Sequence, residues 1–144
     1  MTQHAIMIAI RAPVEIVWSL LTDAANYPQW SSMLDKIDGR IAAGESLILR
    51  PKVAPTLALP VRVTEFAPPQ KMVWSGGVPL GLLRANLSFV LTPAANDQIG
   101  FAMEADYAGL LVRSIPHLQP TFETFAAELS CRAEALTQPI QGEV

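Results

Sequence analysis

The chain has 144 residues, a length that fits one compact domain. Apolar residues make up 51% of it and charged residues 16%, a balance that excludes a mainly disordered chain. Ten lysines and arginines against thirteen aspartates and glutamates give a net charge of -3. The basic excess typical of proteins that bind nucleic acids or anionic membranes is therefore missing.

The sequence carries no signal for a membrane segment, a signal peptide, a disulfide or a metal site. No stretch reaches the roughly 18 apolar residues of a membrane span, and Met1 to Ile10 lacks the features of a signal peptide. The single cysteine, Cys131, excludes an internal disulfide, and the two histidines have no clustered carboxylates beside them. We expect a cytoplasmic domain with no cofactor, no nucleic-acid partner and no stable membrane insertion.

The N-terminal segment is predicted to form a strand followed by two helices. The strand is indicated by residues at alternate positions that would all face a core: His4, Ile6, Ile8 and Ile10. Apolar residues recur at spacings of three and four from about Pro13 to Thr22, which indicates an amphipathic helix. Asp23 is placed to cap a second, short helix, which Pro28 would limit to about two turns.

Six extended segments bounded by turn residues follow and predict an antiparallel meander. They are Lys36 to Ile41, Ser46 to Lys52, Leu59 to Phe66, Met72 to Val78, Leu83 to Thr92 and Gln98 to Ala108. In the last hairpin, matching the apolar faces places Leu87 opposite Met103. The same register places Arg84 opposite Asp106 on the outer face, as a surface ion pair.

The preceding hairpin, around Pro68-Pro69, does not fit a regular register. Val61 and Val63 cannot share a face with Trp74 unless one strand contains a bulge. The alternative is that Trp74 points outward.

A long C-terminal helix is predicted from apolar residues at spacings of three and four. They are Leu111, Ile115, Leu118, Phe122, Phe125, Leu129 and Leu136. Because Pro116 and Pro120 each remove a backbone donor, either the first part is kinked or the regular helix begins near Ser114 to Pro120. Gln138-Pro139 ends it.

This order of elements is that of the helix-grip fold, and the sequence itself resembles the SRPBCC superfamily. That superfamily includes START-like lipid-transfer domains, polyketide cyclases and dehydratases, and plant allergen-type carriers. The resemblance rests on Ile10-Arg11-Ala12-Pro13-Val14-Glu15-Ile16-Val17-Trp18, Leu21-Thr22-Asp23 and Tyr27-Pro28-Gln29-Trp30, and continues through Gly39, Gly44, Phe66-Ala67-Pro68-Pro69, Val73-Trp74 and Glu104 to Leu110. It implies one α+β domain over residues 1–144, with two short helices after the first strand. A seven-stranded curved antiparallel sheet would wrap around the long C-terminal helix.

In such a fold a cavity between the sheet and the C-terminal helix would bind a small hydrophobic molecule, such as a lipid, a polyketide or an aromatic compound. Polar groups would be few: the Tyr107 phenol and the hydroxyls of Ser114 and Thr121. The expected ligand-binding residues are Trp30, Met33, Leu49, Trp74, Leu87, Phe89, Met103, Tyr107, Ser114, Leu118, Thr121, Phe122 and Phe125.

Two other functions stay open from the sequence. In a cofactor-free cyclase or dehydratase, Tyr107 would polarise a carbonyl, helped by Arg84 or His117 if they reach the cavity. Glu104 falls on the outer face and His4 at an exposed strand end, so no catalytic pair emerges and no catalytic residue is assigned. In a regulatory protein, the apolar loop 76–83 would dock on another chain. That loop could equally be a portal, a buried connector or the contact of a homodimer.

Overall fold

The computed structural model describes residues 2–52, 58–78, 80–95, 98–110 and 118–137. The described residues form seven strands and three α-helices, with a 3-10 turn at Ala24–Asn26. The elements are β1 (Thr2–Ile10), α1 (Val14–Thr22), α2 (Tyr27–Trp30), β2 (Leu34–Asp38), β3 (Ser46–Pro51), β4 (Leu59–Ala67), β5 (Lys71–Val78), β6 (Leu83–Pro93), β7 (Ile99–Ala108) and α3 (Leu118–Thr137).

The strands form one antiparallel sheet of seven strands in the order β1-β7-β6-β5-β4-β3-β2. Strands β2 to β7 are a meander of consecutive hairpins, and β1 pairs with the last of them. The curled sheet and the C-terminal helix confirm the α+β helix-grip fold expected from the sequence.

Helix α1 lies where the sequence predicts it, but the segment expected to form the second helix before Pro28 is a 3-10 turn, and α2 contains Pro28 in its first turn. Pro13 precedes α1, whose buried side includes Val17 and Leu21. Asp23 occupies the position before the 3-10 turn, but its side chain caps no backbone group and instead accepts a hydrogen bond from Asn26 Nδ2 at 2.5 Å.

Strand β2 ends at Asp38 and therefore stops before the predicted limit of Ile41. Gly39 has a φ of +118°, in the left-handed region that favours glycine. A Cβ at this position would lie 2.6 Å from the carbonyl oxygen of Ser46. The chain turns here because only glycine allows β3 to approach so closely.

The hairpin of β6 and β7 has the predicted faces but a different register. Met103 lies opposite Phe89 and not opposite Leu87. A shift by two residues keeps every side chain on its face, so alternation cannot detect it. The turn decides the register, because the backbone N–H of Ala94 donates to the carbonyl oxygen of Gln98 at 3.0 Å.

The predicted surface ion pair between Arg84 and Asp106 is wrong for the same reason. Asp106 lies opposite Asn86, while Arg84 lies opposite Ala108. Arg84 is exposed on the outer face, and it makes no ion pair with any of the described residues.

A bulge resolves the hairpin of β4 and β5. Val63 lies opposite Trp74 and Glu65 lies opposite Val73, so Thr64 is the extra residue. Trp74 is fully buried. The bulge expected as one alternative is therefore confirmed, and the outward orientation of Trp74 is wrong.

Helix α3 begins at Leu118, within the range that the prolines predict, and ends at Thr137. Its buried residues are Phe122, Phe125, Ala126, Leu129 and Ala133. Leu136 is exposed, so its place in the predicted apolar side is wrong. The buried face passes through Ala133 instead, where a small side chain packs against the core cluster. The predicted members Leu111 and Ile115 lie outside the described residues.

Two carboxylates of α3 hold the helix against the N-terminal part of the chain. Glu128 Oε1 accepts a hydrogen bond from the backbone N–H of Ser32 at 2.9 Å, and Glu134 Oε2 accepts one from the backbone N–H of Arg11 at 3.1 Å. Among the described helices, none is long and apolar enough to cross a membrane.

Candidate functional site

The inner face of the sheet, which faces α3, is arranged in rows of side chains across the strands. Alternation along each strand and the observed pairings determine which residues share a row. Two neighbouring rows towards the β5–β6 loop contain all the polar side chains of this part of the face. We call these two rows the polar end: Gly76, Ala85, Tyr107, Trp74, Leu87, Ala105 and His4.

The rows that follow on the inner face contain only apolar side chains. We call them the apolar end: Met72, Phe89, Met103, Ile6, Leu91, Phe101, Ile8, Ile99 and Ile10. All of these residues belong to the core cluster or pack against it.

The polar end also differs from the apolar end in side-chain size, because it contains several small residues. Gly76 and Ala85 lie opposite each other in one row, next to Tyr107, and Ala105 lies in the neighbouring row, opposite Leu87. A Cβ at Gly76 would lie 2.2 Å from the carbonyl oxygen of Pro60, so the approach of β4 requires glycine here. The inner face is therefore shallower around Tyr107 than around the phenylalanines of the apolar end.

Tyr107 is the most prominent polar group of this end. Its ring stacks on Phe122 of α3, with ring centroids 6.1 Å apart and planes inclined by 7°. Burial raises the pKa of the Tyr107 phenol above its ordinary value of 10.0. The hydroxyl therefore stays protonated at neutral pH and can act as a hydrogen-bond donor.

His4 is a further candidate for the site, and the sequence interpretation did not include it. Its ring lies 5.6 Å from the ring of Phe122, so His4 and Tyr107 contact the same helix residue. The side chain is half-buried and not at an exposed strand end. The signal was present in the alternation with Ile6 and Ile8, which places His4 on the inner face.

An aromatic cluster joins the polar end to α2 and α3. Tyr27 contacts Trp30, Trp74 and Phe125, with ring centroids 5.0, 6.4 and 6.3 Å away. The Tyr27 hydroxyl donates to the carbonyl oxygen of Leu21 at 2.6 Å. Burial, together with the nearby Asp23 charge, raises the pKa of Tyr27, so this phenol also stays protonated.

Two indole N–H groups in this cluster have no hydrogen-bond partner among the described residues. They are Nε1 of Trp30 and Nε1 of Trp74, and both atoms are buried. The residues are 8% and 0% exposed. Buried tryptophan N–H groups normally have a partner, so these two donors need an explanation.

Charges lie on the outside of the described structure. Its ion pairs join exposed or half-exposed side chains, such as Arg50 Nε and Asp38 Oδ2 at 3.1 Å. Hydrogen bonds from Lys36, and then from Arg50, hold the pKa of Asp38 below its ordinary value. Apart from tyrosine and tryptophan, the only buried polar residue among the described residues is Ser31. Within the same residues, no group of His, Cys, Asp and Glu is arranged to hold a metal ion.

The sequence model of the polyketide cyclase / dehydrase and lipid transport family matches residues 1–134. The chain belongs to this family. Comparison with curated proteins finds no significant relative.

Solved structures of similar fold agree with this membership. A hypothetical protein from Helicobacter pylori has a TM-score of 0.80 at 10% identity, over 92% of this chain and 88% of that chain. A START superfamily protein from Mycobacterium smegmatis has a TM-score of 0.74 at 18% identity, over 94% and 99%. A truncated norcoclaurine synthase from Thalictrum flavum has a TM-score of 0.66 at 12% identity, over 90% and 91%. These likenesses show the fold alone, and with the family match they confirm the SRPBCC resemblance.

In this family member, most residues that the sequence assigns to a ligand site are buried between the sheet, α2 and α3. They are Trp30, Met33, Leu49, Trp74, Leu87, Phe89, Met103, Tyr107, Phe122 and Phe125. Thr121 is half-buried. Ser114, His117 and the side chain of Leu118 lie outside the described residues. Glu104 is exposed on the outer face, as predicted.

The loop between β5 and β6 is shorter than the predicted 76–83, because β5 continues to Val78. Leu80 is 92% exposed, which excludes a buried connector at this residue. The loop packs on Gly109, where a Cβ would lie 2.6 Å from the carbonyl oxygen of Leu82. A pocket of about 620 Å³ lies here, lined by the ends of β5 and β6, the loop and Gly109.

Proposed function

We propose that this protein binds a small, uncharged, largely apolar molecule between the sheet and α3, at the polar end of the inner face. Lipids, polyketides and aromatic compounds are the ligand classes that fit this chemistry. The observation that carries the proposal is the segregation of the inner face: its polar side chains and its small residues occur together at one end.

The make-up of the polar end is that of a small-molecule site. Such sites are mostly apolar and contain a few polar groups that fix the orientation of the ligand. Here Tyr107 and Trp74 supply donors, and Ala85 and Ala105 are small side chains in the same two rows. The proposed lining is His4 together with the set expected from the sequence: Trp30, Met33, Leu49, Trp74, Leu87, Phe89, Met103, Tyr107, Ser114, Leu118, Thr121, Phe122 and Phe125.

Family membership supports the same ligand chemistry. The family description names both cyclase/dehydrase activity and lipid transport, and both involve small hydrophobic molecules. It is compatible with a carrier as well as with an enzyme. The cytoplasmic location and the homodimer considered from the sequence stay predictions.

Native mass spectrometry of the protein isolated from its own host tests the proposal. We expect an added mass corresponding to one small molecule per chain. The variant Leu87→Trp, which fills the polar end, should lose that mass. A spectrum with only the mass of the chain, together with no binding of a hydrophobic dye to the folded protein, would contradict the proposal.

One observation favours a second candidate, a cofactor-free enzyme of the cyclase or dehydratase kind. Tyr107 is a protonated donor, and the imidazole of His4 contacts the same side chain of α3. In this case the molecule extracted from the protein would be converted to a new product by wild-type protein and about 100-fold more slowly by Tyr107→Phe. Equal rates for the two proteins would exclude the phenol as the proton donor.

A further inference from the structure

The indole donors of Trp30 and Trp74 indicate the chemistry of the ligand more closely. Both Nε1 atoms are buried without a partner among the described residues. The neighbouring Tyr27 hydroxyl donates to Leu21 O, so its hydrogen is already used. The described residues therefore supply no acceptor for either indole.

The two indoles belong to one region of the interior. Each contacts Tyr27, with ring centroids 5.0 Å away for Trp30 and 6.4 Å away for Trp74. Trp30 also packs on Phe125 of α3, at 5.3 Å, and Trp74 packs on Phe89 of the sheet, at 4.8 Å. Both indoles therefore lie in the part of the interior, between the sheet, α2 and α3, where the proposed ligand would bind.

The surroundings select an uncharged acceptor. An indole N–H is only a donor, so its partner must supply a lone pair. No charged side chain is buried among the described residues, so the anionic head of a fatty acid or a phosphate would lose its hydration without gaining a counter-charge. A carbonyl oxygen is uncharged and has two lone pairs, and it can accept from one indole or from both.

We propose that Trp30 and Trp74 donate hydrogen bonds to an uncharged oxygen of the ligand, and that the ligand class is therefore a neutral carbonyl compound such as a ketone, a quinone or an ester. This inference rests on the proposed function. A pure hydrocarbon would leave both donors unpaired, and a carboxylate would be disfavoured by its charge.

A matched pair of probes tests the inference. 9-Fluorenone and fluorene have the same shape and differ in one carbonyl group, which fluorene replaces with a methylene. Trp30→Phe and Trp74→Phe each remove one N–H and keep an aromatic ring. For each probe, the dissociation constant of a variant is divided by that of wild type, which cancels the different hydration of the two probes. Thermal melts verify that each variant is folded.

We expect fluorenone to bind about 2- to 13-fold more weakly to at least one of the two variants, the usual net effect of one hydrogen bond. Fluorene should bind both variants without this loss of affinity. Trp18→Phe is the matched control, because the Trp18 N–H is not among the buried unpartnered donors, and its ring packs on Phe66 away from the cluster. If fluorenone and fluorene respond equally to both variants, the indoles bind water or nothing, and the inference is overturned while ligand binding stands. If neither probe binds wild type, the proposed function and the inference both fail.

Nuclear magnetic resonance keeps the test decisive if a variant does not fold. The chain has three tryptophans, so the wild-type spectrum has three indole N–H signals. Fluorenone should move the signal of Trp30 or Trp74 downfield, as a new hydrogen bond does, and fluorene should not. The Trp18 signal should stay in place. Identical shifts with both probes would overturn the inference.

Discussion

The polar and the apolar ends of the inner face are equally closed to solvent, but they differ in what their side chains can do. At the apolar end, residues such as Phe101 and Met103 are buried and carry only apolar side chains. At the polar end, Tyr107 and Trp74 are buried just as well, yet they carry donor groups and have Ala85 and Ala105 as neighbours. Burial by itself therefore does not mark the candidate site. The combination of polar groups and small neighbours does.

The largest expected effect is on stability at the apolar end. Phe101→Ala removes a fully buried ring and should lower the free energy of unfolding by about 3–5 kcal/mol. Leu110→Ala, at a side chain that is 74% exposed, should change it by no more than about 0.5 kcal/mol. Urea denaturation measures both. An unchanged midpoint for Phe101→Ala would show that the apolar end is not the structural core.

A second prediction concerns the pH dependence of stability, which tests whether the buried tyrosines are shielded from water. Burial raises the pKa of Tyr107 and of Tyr27, the two tyrosines of the chain, above the value of about 10 that they have when unfolded. The stability of the folded state with both phenols protonated is therefore fully present below pH 10. Above pH 10 the tyrosines of the unfolded chain lose their protons first, so the free energy of unfolding falls as the pH rises. Unfolding experiments should show a loss of about 1–3 kcal/mol between pH 9 and pH 11.

Ultraviolet absorbance provides the direct control for the same residues. No phenolate absorbance should appear while the protein is folded at pH 10 to 11, and both tyrosines should ionise on unfolding. Ionisation of Tyr107 at its ordinary pKa in the folded protein would show that water reaches the polar end.

A third prediction separates the two ends by their effect on binding. Leu87→Trp and Leu91→Trp enlarge one residue at each end, and both should lower stability by about 1–3 kcal/mol through overpacking. A hydrophobic dye should bind about 10-fold more weakly to Leu87→Trp and close to normally to Leu91→Trp. Dye titrations of the folded variants measure this difference. Equal losses would remove the distinction between the ends.

The smallest expected effect comes from single hydroxyl groups. Tyr107→Phe should leave stability nearly unchanged and weaken binding of 2-naphthol by about 2- to 13-fold, with no change for naphthalene. Tyr27→Phe is the matched control, because the Tyr27 hydroxyl is bonded to Leu21 O. It should lower stability by about 1 kcal/mol and leave the affinity for 2-naphthol unchanged. If Tyr107→Phe behaves like Tyr27→Phe, the Tyr107 phenol is a structural group.

The fold was more predictable from the sequence than the site. Alternation and apolar spacing are local properties, so the faces of the strands and the extent of α1 follow from them. The register of β6 and β7 was not predictable, because a shift by two residues preserves both faces and only the turn near Ala94 distinguishes the registers. The position of Trp74 depended on the bulge at Thr64, which the sequence allowed without requiring it.

The chemistry of the site was less accessible still. His4 was assigned to an exposed strand end because nothing in its neighbourhood in the sequence shows that Phe122 packs on it. Whether the indole donors of Trp30 and Trp74 find a partner depends on the residues around them in three dimensions, and no sequence pattern shows this. Ser114 and His117 lie outside the described residues, and their assignments stay predictions.

The location of a bound ligand tests the central claim most directly. In a complex of the isotopically labelled protein with unlabelled fluorenone, intermolecular nuclear Overhauser effects report which protons lie within about 5 Å of the probe. The account predicts contacts with Tyr107, Ala85 and Trp74 of the polar end, and none with Phe101 or Ile99 of the apolar end. Contacts confined to the apolar end, or to the outer face around Arg84, would contradict it.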